Sequence, residues 1–142
     1  MEILSPYIIA PVLGWIISQG AKYVIASIKG RTFRNLRQLY QSGRMPSAHS
    51  ATVVSFLVVV GVLDGVGSAI FGLTLLFASI VMYDAMMVRR SSGEQGDSIT
   101  ALIKEQKSKV RLPRVARGHT PAEVVVGALI GFAVGATVVF LA

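Results

Sequence analysis

Four long apolar blocks divide this chain, and they decide what it can fold into. They run from about Ile3 to Ile28, Ser47 to Val66, Ser68 to Val88 and Glu123 to Ala142. The hydrocarbon core of a bilayer is about 30 Å thick, so a helix needs about 20 mainly apolar residues to cross it. Spanning strands would instead be about 10 residues long with alternating polarity, and the blocks show no such alternation. In lipid a helix also satisfies its backbone groups within one segment. The expected fold is all-α: an integral membrane helical bundle with about four transmembrane helices, residues 1–142 forming one membrane-embedded domain. Only 15% of the residues are charged, against about 25% in soluble domains. Cysteine is absent, which removes disulfides, thiol nucleophiles and thiolate metal sites. The first block lacks a basic start and a small-residue cleavage site, so it is expected to be a span and not a cleaved signal peptide.

The charges orient the spans. Lys29, Arg31, Arg34, Arg37 and Arg44 lie between the first and second blocks. Arg89, Arg90, Lys104, Lys107, Lys109, Arg111, Arg114 and Arg117 lie between the third and fourth, whereas the turn after the second block carries only Asp64. With four spans both basic loops fall on one side. The positive-inside rule makes that side cytoplasmic in a multi-pass protein of the cell inner (plasma) membrane, with both termini outside. The bilayer is the expected partner. Nucleic acid is not, because the basic loops lack interleaved aromatics and a nucleic-acid-binding signature. In the fourth block Gly127, Gly131 and Gly135 form a small-residue stripe for close helix packing, either within the chain or in a homo-oligomer.

Three polar stretches are left unexplained by topology. They are Ser42-Gly43-Arg44-Met45-Pro46-Ser47-Ala48-His49-Ser50, Tyr83-Asp84-Ala85-Met86-Met87-Val88-Arg89-Arg90-Ser91-Ser92-Gly93-Glu94-Gln95, and Arg117-Gly118-His119-Thr120-Pro121-Ala122-Glu123. Proline suits the first helical turn, so Pro46 is expected to open the second helix. Thr120 to Glu123 has the form of a capping box with proline at the first helical position. Two helices therefore begin on the basic side, each presenting unpaired N–H groups and a partial positive charge. Each carries one of the two histidines of the chain. That is a site for an anion, most naturally phosphate, at which one histidine attacks phosphorus and the other protonates the leaving oxygen.

Plainer readings stand beside this one. The histidines are then interface residues, or metal ligands together with Asp84, Glu94 or Glu123, although the excess of nearby cations opposes metal binding. Glu123 is then only a helix cap, Asp84 a boundary charge, and Lys22 a lysine that snorkels to the interface.

At these residues the chain resembles a family. Pro46-Ser47-Ala48-His49 is similar to the Pro-Ser-Gly-His motif of the type 2 phosphatidic acid phosphatase superfamily, which includes vanadium haloperoxidases. The three stretches together resemble a small, divergent branch of it, in order along nearly the whole chain. The resemblance implies His49 as general acid and His119 as the nucleophile that forms a phosphohistidine. It implies Glu123, four residues on, as the carboxylate that orients and charge-stabilises His119. It implies Lys22 and one of Arg89 or Arg90 as grips on phosphate, and no metal or cofactor. Ser47, Asp84 and Arg44 complete the candidate substrate-binding set. Where the larger family has an arginine six residues before the nucleophile, this chain has Pro113. Alanine replaces the motif glycine at position 48, and glutamate replaces the usual aspartate at 123.

The expected function is that of a phosphatase for a lipid phosphomonoester or diphosphate, such as phosphatidylglycerophosphate or a polyprenyl (di)phosphate, with its site facing the cytoplasm. A non-catalytic lipid-phosphate-binding or scaffold protein is the alternative. A small transporter, with Lys22 and Asp84 inside the membrane, is a third.

Overall fold

The computed structural model describes residues 5–30, 45–113, 115 and 118–142. The candidate Arg44, and the loop charges Arg31, Arg34, Arg37, Arg114 and Arg117, lie outside the described residues. The described chain is all-α. Helix α1 spans Pro6–Gly30, α2 Ala48–Leu63, α3 Ala69–Tyr83, α4 Arg89–Glu105 and α5 Pro121–Leu141. A single π-helical turn, Asp84–Val88, joins α3 to α4. Three helical segments are long and apolar enough to cross a membrane, and α2 is a shorter apolar helix of 16 residues.

Small residues explain how the helices pack. On α1 the residues Ala10, Gly14, Ser18, Lys22 and Ala26 recur at every fourth position, and all are buried. Residues four apart share a helix face, so this narrow strip lets α1 close on α2. A Cβ on Gly14 would lie 2.8 Å from Ser55 Oγ and 2.9 Å from the Ala51 carbonyl oxygen. Lys22 sits on the same strip and is therefore directed into the bundle.

The stripe on α5 also closes on α2, and Ala51 and Ser55 meet both neighbouring helices. A Cβ on Gly127 would strike the Ser47 carbonyl oxygen, one on Gly131 the Ala51 carbonyl oxygen, and one on Gly135 the Ser55 carbonyl oxygen. The partner residues advance by four as the glycines do, so α2 and α5 run parallel in one register. Of the two uses the stripe allows, the structure shows the one within the chain. Within the chain, α2 covers the face that Gly127, Gly131 and Gly135 form.

The bundle interior is two-toned. Ala10, Val59, Val134 and Val138 form an apolar core toward the ends of α2 and α5. There Tyr7 Oη donates to Asp64 Oδ2 at 2.7 Å and clasps α1 to the end of α2. The other half of the interior is polar and holds Ser18, Lys22, Ser47, Ser50 and His119.

Two element boundaries differ from expectation. The second helix does not open on Pro46. Ser47 is its N-cap, its side-chain oxygen accepting from Ser50 N–H, and Pro46 stands one residue earlier. The third helical segment also extends well past the apolar block that ends near Val88. The helix runs unbroken from Ala69 to Glu105. It ends in a two-bond C-cap in which Ser108 N–H bonds the Ile103 carbonyl and Lys107 N–H that of Lys104. Lys107 takes the left-handed conformation such a cap requires.

Candidate functional site

The two histidines are carried by the starts of two adjacent helices. Thr120 caps α5 by accepting from Glu123 N–H at 3.3 Å, and Glu123 Oε2 accepts from Thr120 N–H at 3.1 Å. The capping box expected from the sequence is therefore formed in both directions. The same Oε2 lies 3.1 Å from His119 Nδ1. A carboxylate can only accept, so this contact places the ring proton on Nδ1 and leaves the Nε2 lone pair free. Glu123 is a cap and an orienter of His119 at once. The Ser47 N–H donates to the Glu123 carbonyl oxygen at 3.0 Å. That bond ties the start of α2, and with it His49, to the start of α5.

The charges converge on the same place. His119 is 5% exposed, and Lys22, reaching in from α1, is also 5% exposed. Lys22 therefore does not snorkel. Its packing strip turns it inward, where a buried cation needs anionic company, and it interacts electrostatically with Glu123. His49 lies in the electrostatic reach of Arg89, His119, Lys22 and Asp84. His119 is reached by Glu123, Lys22 and Arg89. Burial pushes the His119 ring below the ordinary histidine range, against the opposing pull of the Glu123 hydrogen bond and charge. Burial thus favours the neutral ring, the form in which the nitrogen away from Glu123 is nucleophilic.

The π-turn separates the two arginine candidates. Arg89 Nε is 2.6 Å from Asp84 Oδ2, and Arg89 acts on both histidines. Arg90 pairs outward with Glu94 at 3.2 Å, with 57% of its side chain exposed. Arg90 thus stands in an exposed ion pair on another face from Arg89. One residue turns a helix by about 100°, so neighbours in sequence cannot share a face. The Asp84 carboxylate faces Arg89. Ser47 is placed otherwise than expected. It is fully buried, and its Oγ accepts from the Ser50 hydroxyl at 2.9 Å and the Ser50 N–H at 3.4 Å. Its side chain serves the cap.

Two contributors escape sequence reasoning. The Ala85 carbonyl in the π-turn accepts from His119 N–H at 2.9 Å. Gly118 lets that approach happen, since a Cβ there would lie 2.7 Å from Arg90 Cα and 2.9 Å from the Ala85 carbonyl oxygen. The glycine directly before the second histidine was the available signal. Beside the π-turn lies a groove of about 540 Å³, walled by Tyr83, Met86, Met87 and Pro121, with Arg90 and Glu94 also lining it.

The arrangement is an oriented, buried imidazole between a buried lysine and a tethered arginine, with a second imidazole on the neighbouring helix. Comparison with known proteins points the same way. The Divergent PAP2 family model matches residues 4–134. The chain is 31% identical over 147 aligned positions to the uncharacterized membrane protein YuiD of Bacillus subtilis (strain 168), covering 92% of each chain. No solved structure matches it. The match takes in α1 to α4 and most of α5, with Lys22, both histidines and the π-turn inside it, and by that extent this membrane protein belongs to the Divergent PAP2 family.

Proposed function

We propose that the protein is a lipid-phosphate phosphatase working at the basic face of the membrane, which we take to be the cytoplasmic one. The carrying observation is the buried His119, its Nδ1 held by Glu123 and its surroundings charged by Lys22 and Arg89. His119 Nε2 attacks phosphorus, and the bond from phosphorus to the lipid oxygen breaks. His49, protonated, gives its proton to that oxygen, so a lipid alcohol or a shortened lipid phosphate leaves. Water, deprotonated by His49, then attacks the phosphohistidine and releases orthophosphate, restoring both rings. Lys22 and Arg89 balance the charge on the peripheral oxygens throughout. The groove walled by Tyr83, Met86, Met87 and Pro121 suits the first methylenes of a lipid whose phosphate lies at His119. Substrates in keeping with this geometry are phosphatidylglycerophosphate and polyprenyl (di)phosphates.

The test is orthophosphate release from these lipids by purified protein in detergent. Wild type is expected to release phosphate, and His119→Ala to release none above the blank. Equal release by the two would remove the mechanism. Phosphate binding without release would identify a lipid-phosphate-binding protein instead.

The electrostatics add a pH prediction. A nucleophile is lost when it gains a proton, so activity falls on the acid side as pH drops through the His119 pKa. Burial places that value below the ordinary histidine pKa of about 6.5. The acid limb of kcat/KM should therefore lie below that point. An acid limb above that point would contradict the assignment.

A further inference from the structure

The turn from Asp84 to Val88 holds an arrangement that an ordinary helix cannot. In an unbroken α-helix, residues five apart point about 140° away from each other around the axis. The π-turn inserts one residue, and Arg89 N–H bonds the Asp84 carbonyl. Positions 84 and 89 then take the bearing that residues four apart normally have. Only so can Asp84 Oδ2 meet Arg89 Nε at 2.6 Å. The same turn offers the Ala85 carbonyl to His119 N–H. Five residues thus fix an arginine and a histidine in one frame.

We propose that Asp84 is a positioning residue of the anion site: its carboxylate clamps Arg89 through Nε, so that the remaining guanidinium N–H groups are presented to the phosphoryl oxygens. The inference rests on the phosphate-site reading above and adds a role beyond it. An arginine has five N–H donors, and a carboxylate on Nε leaves four for a ligand. A free arginine side chain loses rotamer freedom when it binds, and the clamp takes part of that loss before binding. Glu123 treats His119 in the same way, holding one nitrogen and freeing the other. Each of the two carboxylates near the site therefore orients a group that meets the ligand. Asp84 does not itself meet the ligand, since like charges repel.

The test uses full-length protein in detergent, with orthovanadate binding measured by calorimetry alongside lipid-phosphate hydrolysis. Asp84→Ala is expected to weaken orthovanadate binding and raise KM by about tenfold or more, with kcat within about threefold, as befits loss of one charge-assisted contact. Arg89→Ala should weaken orthovanadate binding at least as much and also lower kcat, because that guanidinium stabilises the charge on the peripheral oxygens. The double variant should be no worse than Arg89→Ala alone, because Asp84 acts only through that arginine. Asp84→Glu should recover part of the loss. Unchanged or tighter orthovanadate binding in Asp84→Ala would overturn the proposal, showing a carboxylate that competes with the anion. Additive losses in the double variant would overturn it too. If wild type binds orthovanadate with this pattern yet hydrolyses nothing, the clamp stands and the phosphatase reading falls. If folded wild type binds no orthovanadate, both fall.

Discussion

Replacing His49 by alanine is expected to slow hydrolysis of a lipid phosphate by about 10²–10⁴-fold, the usual worth of a general acid, while slowing an aryl phosphate far less. The reason lies in the leaving group. A lipid alcohol departs as a poor, strongly basic alkoxide unless a proton reaches it, whereas a nitrophenolate departs unaided. His49 is the second residue of α2, exposed, and electrostatically coupled to His119. It is thus placed beside the attacking ring and open to the proton supply of the solvent. His119→Ala, by contrast, should abolish turnover of both substrates alike, since neither can form the phosphoenzyme. Equal losses on lipid and aryl phosphates in His49→Ala would deny it the acid role and leave it an electrostatic one.

The parts of the fold that depend on composition were readable in advance. Apolar length located the helices, and the Thr120-to-Glu123 spacing located the start of α5 with its cap. The glycine stripe announced a close contact but not its partner, because three small residues look the same to α2 as to a second copy. The register that settles it is a matter of three dimensions: Ser47, Ala51 and Ser55 each offer a carbonyl to a glycine. Lys22 left open a choice between snorkelling and burial. The strip of Ala10, Gly14, Ser18 and Ala26 could have resolved it, since a lysine in register with small buried residues must face a neighbouring helix.

The π-turn was not readable. Nothing in Asp-Ala-Met-Met-Val disfavours an ordinary α-helix. Its support is distant in sequence, in the His119 N–H that takes the Ala85 carbonyl and in the missing side chain of Gly118. The spacing of five between Asp84 and Arg89 is a faint trace of it, because helical ion pairs normally sit three or four apart. The choice between Arg89 and Arg90 depends on that one inserted residue, so sequence reasoning had to leave both open.

Gly131→Val is expected to destabilise the protein by roughly 3 kcal/mol or more, a large share of the 5–15 kcal/mol that holds a typical domain. A Cβ at this position meets the carbonyl and Cα of Ala51, which are backbone atoms and cannot rotate away. Relief requires α2 and α5 to move apart. In lipid little opposes that separation, since helix association rests on close van der Waals packing and interhelical polar contacts. The separation also stretches the 3.0 Å bond from Ser47 N–H to the Glu123 carbonyl. His49 is thereby drawn from His119, and activity should fall even in the fraction that stays folded. Gly131→Ala should show a smaller form of both effects. Gly72 supplies the control, because it lies in the body of α3 with nothing within 4 Å of a Cβ. Gly72→Ala should be neutral or slightly stabilising, given the better helix propensity of alanine. Thermal unfolding in detergent, followed by circular dichroism, compares the variants directly. Equal midpoints for Gly131→Val and wild type would mean that α2 and α5 are not in contact through this stripe, and the link that joins the two histidine-bearing helix starts would lose its basis.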